Sequence, residues 1–374
     1  MVDRRRIVRQ WKQGRAKVLA TLVHAEGSSY RRPGARLLIG ESGAEYAGTI
    51  SGGCLEAEVV RKAAWMVRDG AVVERYSTLF DDTVEIPFGL GCGGVVDLLL
   101  EPAETLECQA LLQAMEASLV GTESRIATWL PASGKPLLRA VFGAHGRMLF
   151  ASKGLSAGQI ASVNFSAQVS VTSGFPRIYL EALSAPQRLF VLGAGDDAKP
   201  VVTMASLLGW NVTVADGRTQ LVRKERFPEA ERLAVIQTSE ELGIRARDAV
   251  VLMTHSYEQD RTLLTGLLGA SEVPGYIGLL GASHRSSLLV SETAAKLGCS
   301  VAECCERVWA PVGLDLGGDG AEAIALAVIA EVQAWVQGKL GASRRLTAER
   351  VAEQIEKGGA SRYLQSQCAV GAGE

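Results

Sequence analysis

After residue 187 the chain settles into one rhythm. Apolar runs LFVLG (189–193), NVTVAD (211–216), LAVI (233–236), DAVVLMT (248–254) and YIGLLG (276–281) recur with helix-length segments between them. A strand buried on both faces reads as such an unbroken apolar run, and parallel neighbours need a crossover of helix length between them. The order therefore predicts a doubly wound parallel sheet. The first run leads into GAGDDAKPVVTMASLLGW, a GxGxxA at Gly193, Gly195 and Ala198, and Asp216 ends the second run about 20 residues further on. Strand, glycines, helix and acid together form a dinucleotide fingerprint. Its glycines admit a pyrophosphate to a helix N-terminus, and its acid takes ribose hydroxyls.

Two residues in the turn complicate that reading. Asp196 and Asp197 suit the dipole of the following helix but repel a phosphate in the same place. Pro200 fits only because early helical N–H groups lack partners anyway. A Rossmann-like scaffold whose glycines serve just the tight turn and close packing accounts for the same residues. Ligands of an open α/β sheet sit beyond the carboxyl ends of the strands, where the sequence places Gly193 to Asp197, Asp216 with Arg218, Thr254 with His255, and Gly281 to Arg285. His255, in THSYEQD, is either a strand cap or a functional group. His24 and His145 lack paired ligands and read as structural.

Before residue 187 the pattern differs. Short β-rich segments, KVLATLVHA, ARLLIG, AEYAGTI, AVVERYSTLF and VVDLLLE, are divided by turns, and RIATWL, LLRAVF, RMLFAS and PRIYLEAL suggest that the same sheet continues. Two helical stretches interrupt them. CLEAEVVRKAAWMVRDG puts Leu55, Val59, Lys62/Ala63 and Met66 on one stripe and stops at Gly70, and ETLECQALLQAMEASLVG stops at Gly121. The expected organisation is an α+β domain over 1–185, a linker at SAPQR (184–188), a Rossmann-like parallel-sheet domain over 186–340, and a C-terminal helix with a flexible tail over 341–374.

Composition narrows the partners. Lys and Arg number 39 against 41 Asp and Glu, a net charge of −2, so the total favours neither nucleic acid nor an anionic membrane. The basic start MVDRRRIVRQWKQGRAK has no apolar core, and no run of about 18 apolar residues occurs. A soluble cytoplasmic protein is the expectation. Seven cysteines without regular spacing fit reduced thiols, no pair has CxxC spacing, and Cys304 and Cys305 read as packing residues.

Two of those cysteines stand among glycines. Cys54 follows Gly52 and Gly53 at the start of a helical segment, and Cys92 lies in FGLGCGG before an apolar run. Helix N-termini and glycine-rich nests present free N–H groups, which favour thiolate over thiol. Such a site can hold a phosphate, an oxyanion or a soft metal centre. A small buried packing residue is the other reading of each thiol. The loop SSYRRPG adds Arg31 and Arg32 as phosphate contacts or as a solvated turn.

GSSYRRPGARLLI, GTISGGCLEAEV, FGLGCGGVVDLLLEP, LFVLGAGDDAKPVV, VLMTHSYEQD, YIGLLGASHR and APVGLDLGGDGAEAIALAVIAEV occur in the order and approximate spacing of the XdhC/CoxI family, which the chain resembles over most of residues 18–335. That resemblance implies an accessory factor for molybdenum hydroxylases such as xanthine dehydrogenase. Members bind molybdenum cofactor, protect it while a cysteine desulfurase helps install its terminal sulfido ligand, and assist its insertion into the apo-enzyme. The sequence departs from the family at Asp196, where a histidine is common, at Tyr30, where proline is common, and at GASHR.

The reading that unites these features is a non-catalytic maturation factor with molybdopterin-type cofactor as cargo. Cys54 and Cys92 would line the metal or dithiolene end, Arg31, Arg32 and the Gly52 and Gly53 amides would face phosphate, and Gly193, Gly195, Asp216 and His255 complete the candidate set. Its partners would be the large subunit of a molybdenum hydroxylase and a cysteine desulfurase, with a homodimer compatible. The alternative is an NAD(P)-dependent oxidoreductase with Asp216 on ribose and His255 as acid or base. A scaffold acting only through protein contacts is a third option.

Overall fold

The computed structural model describes residues 1–27, 29–41, 43, 45–53, 55–77, 94–132, 135–165, 169–171 and 177–341. Cys54, Cys92 and the segment 342–374 therefore lie outside the described residues. The chain opens with α1 (Val2–Lys12), β1 (Val18–Glu26), β2 (Arg36–Ile39), β3 (Tyr46–Gly48), α2 (Glu56–Met66), β4 (Val72–Ser77) and β5 (Val95–Pro102). Its strands form an antiparallel sheet of order β3-β2-β1-β5-β4. The helix α2 lays Leu55, Val59 and Ala63 on Val18, Ala20, Leu37 and Leu98, as the stripe in its sequence requires. Lys62 instead turns outward to Glu58, one helical turn away, at 2.7 Å.

The expectation of one continuing sheet is corrected. After α3 (Leu106–Leu119) come β6 (Ser124–Trp129), β7 (Leu138–Phe142), β8 (Met148–Ala151), α4 (Ala157–Ala161), β9 (Val169–Val171) and β10 (Ile178–Leu183), which build a second antiparallel sheet of order β8-β7-β6-β10-β9. Alternating hydrophobicity identifies a strand and its buried face but not its neighbour, so the runs alone could not separate two sheets. Helices α1 and α3 fill the space between them, with Ile7, Leu111 and Met115 against Leu19, Leu38, Ile126 and Val141. Two buried ion pairs tie the layers together. Arg139 donates to both Glu101 oxygens at 2.8 and 3.0 Å, and Arg36 pairs with Glu181. Neither charge could be left alone there without a large desolvation cost.

The remainder is β11 (Arg188–Leu192), α5 (Ala198–Leu207), β12 (Asn211–Asp216), β13 (Arg232–Val235), β14 (Ala249–Leu252), α6 (Tyr257–Gly269), β15 (Tyr276–Leu279), α7 (Ser283–Leu297), α8 (Val301–Cys305), β16 (Val308–Trp309) and α9 (Ala321–Val336). All six strands are parallel, in the order β13-β12-β11-β14-β15-β16. Numbered within the domain this is 3-2-1-4-5-6, the Rossmann order. Successive residues of β11 serve opposite faces. Leu189 and Val191 pack with α5 and α9, while Phe190 and Leu192 pack with α6 and α7. The last strand, two residues long, is too short to show as an apolar run in the sequence. Among the described residues no helix is long and apolar enough to cross a membrane.

The first helix, unforeseen in a segment read only for its charge, joins the parts. Ile7 and Val8 enter the core between the antiparallel sheets, Arg4 donates to Ser118 Oγ and the Ser184 carbonyl at 2.8 Å each, and Arg5 reaches Asn211 and the Gly209 carbonyl. Burial, reinforced by the nearby Arg36 charge, pushes the Arg4 guanidinium down to about 10. Asn211 opens β12, so the antiparallel layers adjoin the amino ends of the parallel strands. The carboxyl ends face the other way.

Candidate functional site

At the carboxyl edge, β11 and β14 run side by side and their helices leave to opposite faces, which makes the gap between them the topological switch point. The turn 193–197 and the loop 253–255 meet there. Gly193 has φ +128°, and a Cβ on it would overlap the Met253 carbonyl and approach Thr254 N to 2.8 Å. Its glycine is required by the contact between the two loops, whatever else approaches. Gly195 is different, because a Cβ there would meet the Asp197 carboxylate and, at 3.6 Å, the His255 ring.

Asp216 sits beneath this turn and is 1% exposed. Its Oδ2 accepts from Ala194 N and Arg218 Nη2, both at 2.8 Å, and its Oδ1 from Arg218 N at 2.8 Å and Nε at 3.0 Å. A carboxylate has about four acceptor positions, so all are occupied. Burial works against the charge, but the hydrogen bonds from Arg218 and Ala194 outweigh it and hold the carboxyl below its ordinary range. The ribose role suggested by the fingerprint finds no free lone pair in this geometry. Asp216 instead fastens the glycine turn to the second strand.

Arg218 continues the network to the Thr254 carbonyl at 3.3 Å. Thr254 Oγ1 donates to Asp260 at 2.7 Å, and Arg285 bridges Asp260, at 2.6 Å, and the Leu280 carbonyl, at 3.2 Å. Four strand ends are thus locked by alternating charges. His255 stands out of this lattice with φ +62°, a region unfavourable for a side chain with a Cβ, and its Nε2 lies 2.8 Å from Asp197 Oδ2. Asp196 is exposed and pairs with Lys199 at 2.6 Å and Arg226 at 3.1 Å, the first of which does most to hold its carboxyl low. Arg226 and Asp260 were not marked by the sequence. Asp260 lies on α6 four residues past the Ser256 cap, where only helical spacing would point it inward.

The second group of candidates surrounds 29–32 and 49–56. Glu56, at the start of α2, accepts from Thr49 Oγ1 at 2.7 Å, Ile50 N at 3.0 Å, Ser51 N at 2.8 Å and Gly53 N at 3.1 Å. Burial opposes its ionisation, yet the hydrogen bonds from Ser51 and Thr49 keep its carboxyl low. The Gly53 amide thus donates to Glu56 and Ser51 Oγ, partners that a phosphate there would have to replace. Gly52 lies under the exposed Tyr30 ring, whose Cγ would be 3.5 Å from an added Cβ. Arg31 is held by Asp3 at 2.7 Å, whereas Arg32 is exposed with no ion-pair partner among the described residues.

The profile described as the XdhC Rossmann domain matches residues 189–332, and that described as the XdhC and CoxI family matches residues 10–77. The chain belongs to the XdhC and CoxI family. It is 27% identical over 319 residues to a probable xanthine dehydrogenase subunit of Bacillus subtilis (strain 168), covering 84% of this chain and 92% of that protein. The molybdenum cofactor insertion chaperone PaoD of Escherichia coli (strain K12) is 28% identical over 324 residues, 85% of this chain and 83% of PaoD. Among solved structures, a crystal structure described as a xanthine dehydrogenase from Bacillus halodurans superposes with a TM-score of 0.76 at 26% identity, covering 94% of this chain and 99% of the other.

In this XdhC and CoxI chain the two candidate groups are not joined. Arg31 is bound to the first turn of α1, whose leading residue Met1 abuts Gly209 at the amino end of β12. Gly193, Gly195 and His255 lie at the opposite end of α5, which at ten residues spans about 15 Å. Among the described residues no cluster of three His, Cys, Asp or Glu could hold a metal ion. Cys304 is buried, but Cys305 is exposed, which corrects its reading as a packing residue.

Proposed function

We propose that this chain carries molybdenum cofactor as cargo, protects it while the terminal sulfido ligand is installed, and inserts it into a molybdenum hydroxylase such as xanthine dehydrogenase. What carries the reading is similarity to a named insertion chaperone along 85% of the chain. The geometry adds an argument against the dehydrogenase alternative, since all four acceptor positions of Asp216 are taken by Ala194 and Arg218 and none is left for a ribose. In this proposal the carboxyl edge of the parallel sheet, with Gly195 in its turn and Lys199 and Arg226 beside it, receives the phosphate end of the cargo. Because the loop around 49–56 is not joined to the carboxyl edge within one chain, the soft thiolates proposed at Cys54 and Cys92 would meet the metal or dithiolene end at a separate station, a role resting on their sequence contexts. The large subunit of a hydroxylase, a cysteine desulfurase and a second copy of the chain are the proposed partners, in the cytoplasm.

The test is purification from a host that makes molybdopterin, followed by metal analysis and oxidative pterin detection. Bound pterin with molybdenum, restoration of hydroxylase activity in the apo-enzyme, and no calorimetric signal with NAD(H) or NADP(H) are expected. Cys54→Ser and Cys92→Ser should fold with unchanged melting temperature and lose cofactor retention, whereas Cys368→Ser should keep it. Full retention by both glycine-flanked variants would remove the thiolates from the site. Dinucleotide binding without pterin would overturn the reading as a whole.

A further inference from the structure

On the opposite side of the Rossmann domain from α5 and α9, the turn after α7 brings two thiols together. Cys299 Sγ and Cys304 Sγ are 3.5 Å apart. The intervening turn is capped on both sides, since Gly298 ends α7 with φ +69° and Ser300 opens α8 in a reciprocal capping box with Glu303. Neighbouring positions on a helix point about 100° apart, so Cys304 enters the core beside Leu289 and Val308 while Cys305 faces solvent. Cys299 is exposed and Cys304 is 2% exposed. One sulfur of the pair is open to reagents, and the other waits behind it.

We infer that Cys299 and Cys304 form a reversible modification site, at which a low-molecular-weight disulfide such as glutathione disulfide is reduced and an intrachain disulfide is made. The Cys299 thiolate attacks one sulfur of the reagent, forming a mixed disulfide and releasing the first thiolate. Cys304 then gives its proton to solvent and attacks Cys299 Sγ, expelling the second. Two thiols lose two protons and two electrons, and the reagent leaves as two thiols once those protons are taken up. The order follows from access and ionisation together. Burial, with the neighbouring Cys299 next, pushes the Cys304 thiol up to about 11, so the exposed partner must react first. The product bond would tie the end of α7 to α8, immediately before the edge strand β16, and a dithiol reductant would reverse it.

Peptide mapping of the full chain after exposure to glutathione disulfide decides the matter. The expected product is a cross-link between Cys299 and Cys304, two hydrogens lighter than the reduced pair, also formed by Cys305→Ser and abolished by dithiothreitol. Cys304→Ser should instead accumulate a stable mixed disulfide at Cys299, and Cys299→Ser should lose the cross-link. A mixed disulfide that persists at Cys299 in the wild-type and Cys305→Ser chains would overturn the inference. So would a cross-link that joins Cys305 to either neighbour in the wild-type chain. The outcome is independent of whether cofactor is bound.

Discussion

The turns at 51–56 and 193–197 look alike in sequence and share an internal plan, but their rims differ. In each, a buried carboxylate, Glu56 or Asp216, accepts backbone N–H groups of a glycine-bearing turn and so fixes its shape. Around the first turn, Arg31 is tied to Asp3, Arg32 has no ion-pair partner among the described residues, and the Tyr30 ring covers Gly52. Around the second, every charge named on the rim already has a partner, Asp196 with Lys199 and Arg226 and Asp197 with His255. A glycine turn with a nearby acid is therefore an architectural unit first. Ligand chemistry is set by what stands at the rim.

The sharpest way to break the parallel is to add a methyl group to each turn. At Gly193 an alanine meets both a positive φ and the Met253 backbone, which cannot yield without moving β14, so Gly193→Ala should cost about 2–5 kcal/mol. Gly53 also has positive φ, +111°, but nothing lies within 4 Å of an added Cβ. There the cost should be conformational alone, about 1–2 kcal/mol. Urea denaturation with an unchanged m-value measures both, and equal costs would show that the switch-point contact is not what demands Gly193.

Removing the carboxylates comes next. Asp216→Ala strands the buried Ala194 amide while the exposed Arg218 guanidinium can turn to water, a loss of about 2 kcal/mol, and Glu56→Ala leaves several neutral donors that water can reach in part, for a loss of similar size, about 2 kcal/mol. Both carboxyls are held low in the fold, so their stabilisation is complete above the ordinary carboxylate pKa and is lost as pH falls through the folded values. Their contribution should be flat above about pH 5 and fall below about pH 4. Asp216→Asn should flatten that acid limb. A melting curve series in which the variant falls as steeply as the parent would place the acid sensitivity elsewhere, with Asp97 between Arg75 and Arg177 the next carboxylate to try.

These comparisons show why so much of the Rossmann half was legible and so little of its site. Runs such as LFVLG and DAVVLMT become central strands because both faces are buried, a demand that composition alone can express. The grouping of β6 to β10 into a second sheet depends on partners far apart in sequence, and α1 hides its Ile7 and Val8 among arginines. Asp216 was found by spacing, but its role was not. Whether an acid faces a ribose or a backbone amide is a matter of side-chain direction, and Arg218, two residues on, takes the lone pairs that the motif would reserve for ligand. The Gly53 amide is likewise taken up by Glu56.

A smaller effect separates the rims themselves. Gly195→Val should leave the fold nearly intact, because the flexible Asp197 side chain can move aside, yet fill the approach to the turn. Cofactor retention should fall at least about tenfold, the consequence of losing roughly one good charge-assisted contact. If retention is unchanged in a folded variant, the phosphate end of the cargo does not lie at this turn.

The smallest expected change is a gain. Asp196 is exposed and pairs with Lys199 and Arg226, the two cations proposed for the phosphate, so its carboxylate competes with the ligand's charge for them. Binding must break those pairs, and exposed ion pairs are weak, so the competition is slight. Asp196→Asn keeps the size of the side chain and removes the competing charge. Pyrophosphate, used as a probe in calorimetry at low salt, should bind up to about fivefold tighter to the variant, and the gain should shrink at high salt, where screening weakens both the pairs and the ligand's own attraction. Arg32→Ala, at the other turn, should leave pyrophosphate affinity at the carboxyl edge untouched. Equal affinity for parent and Asp196→Asn would mean that Lys199 and Arg226 do not meet the ligand, and weaker binding would make Asp196 a part of the site in its own right.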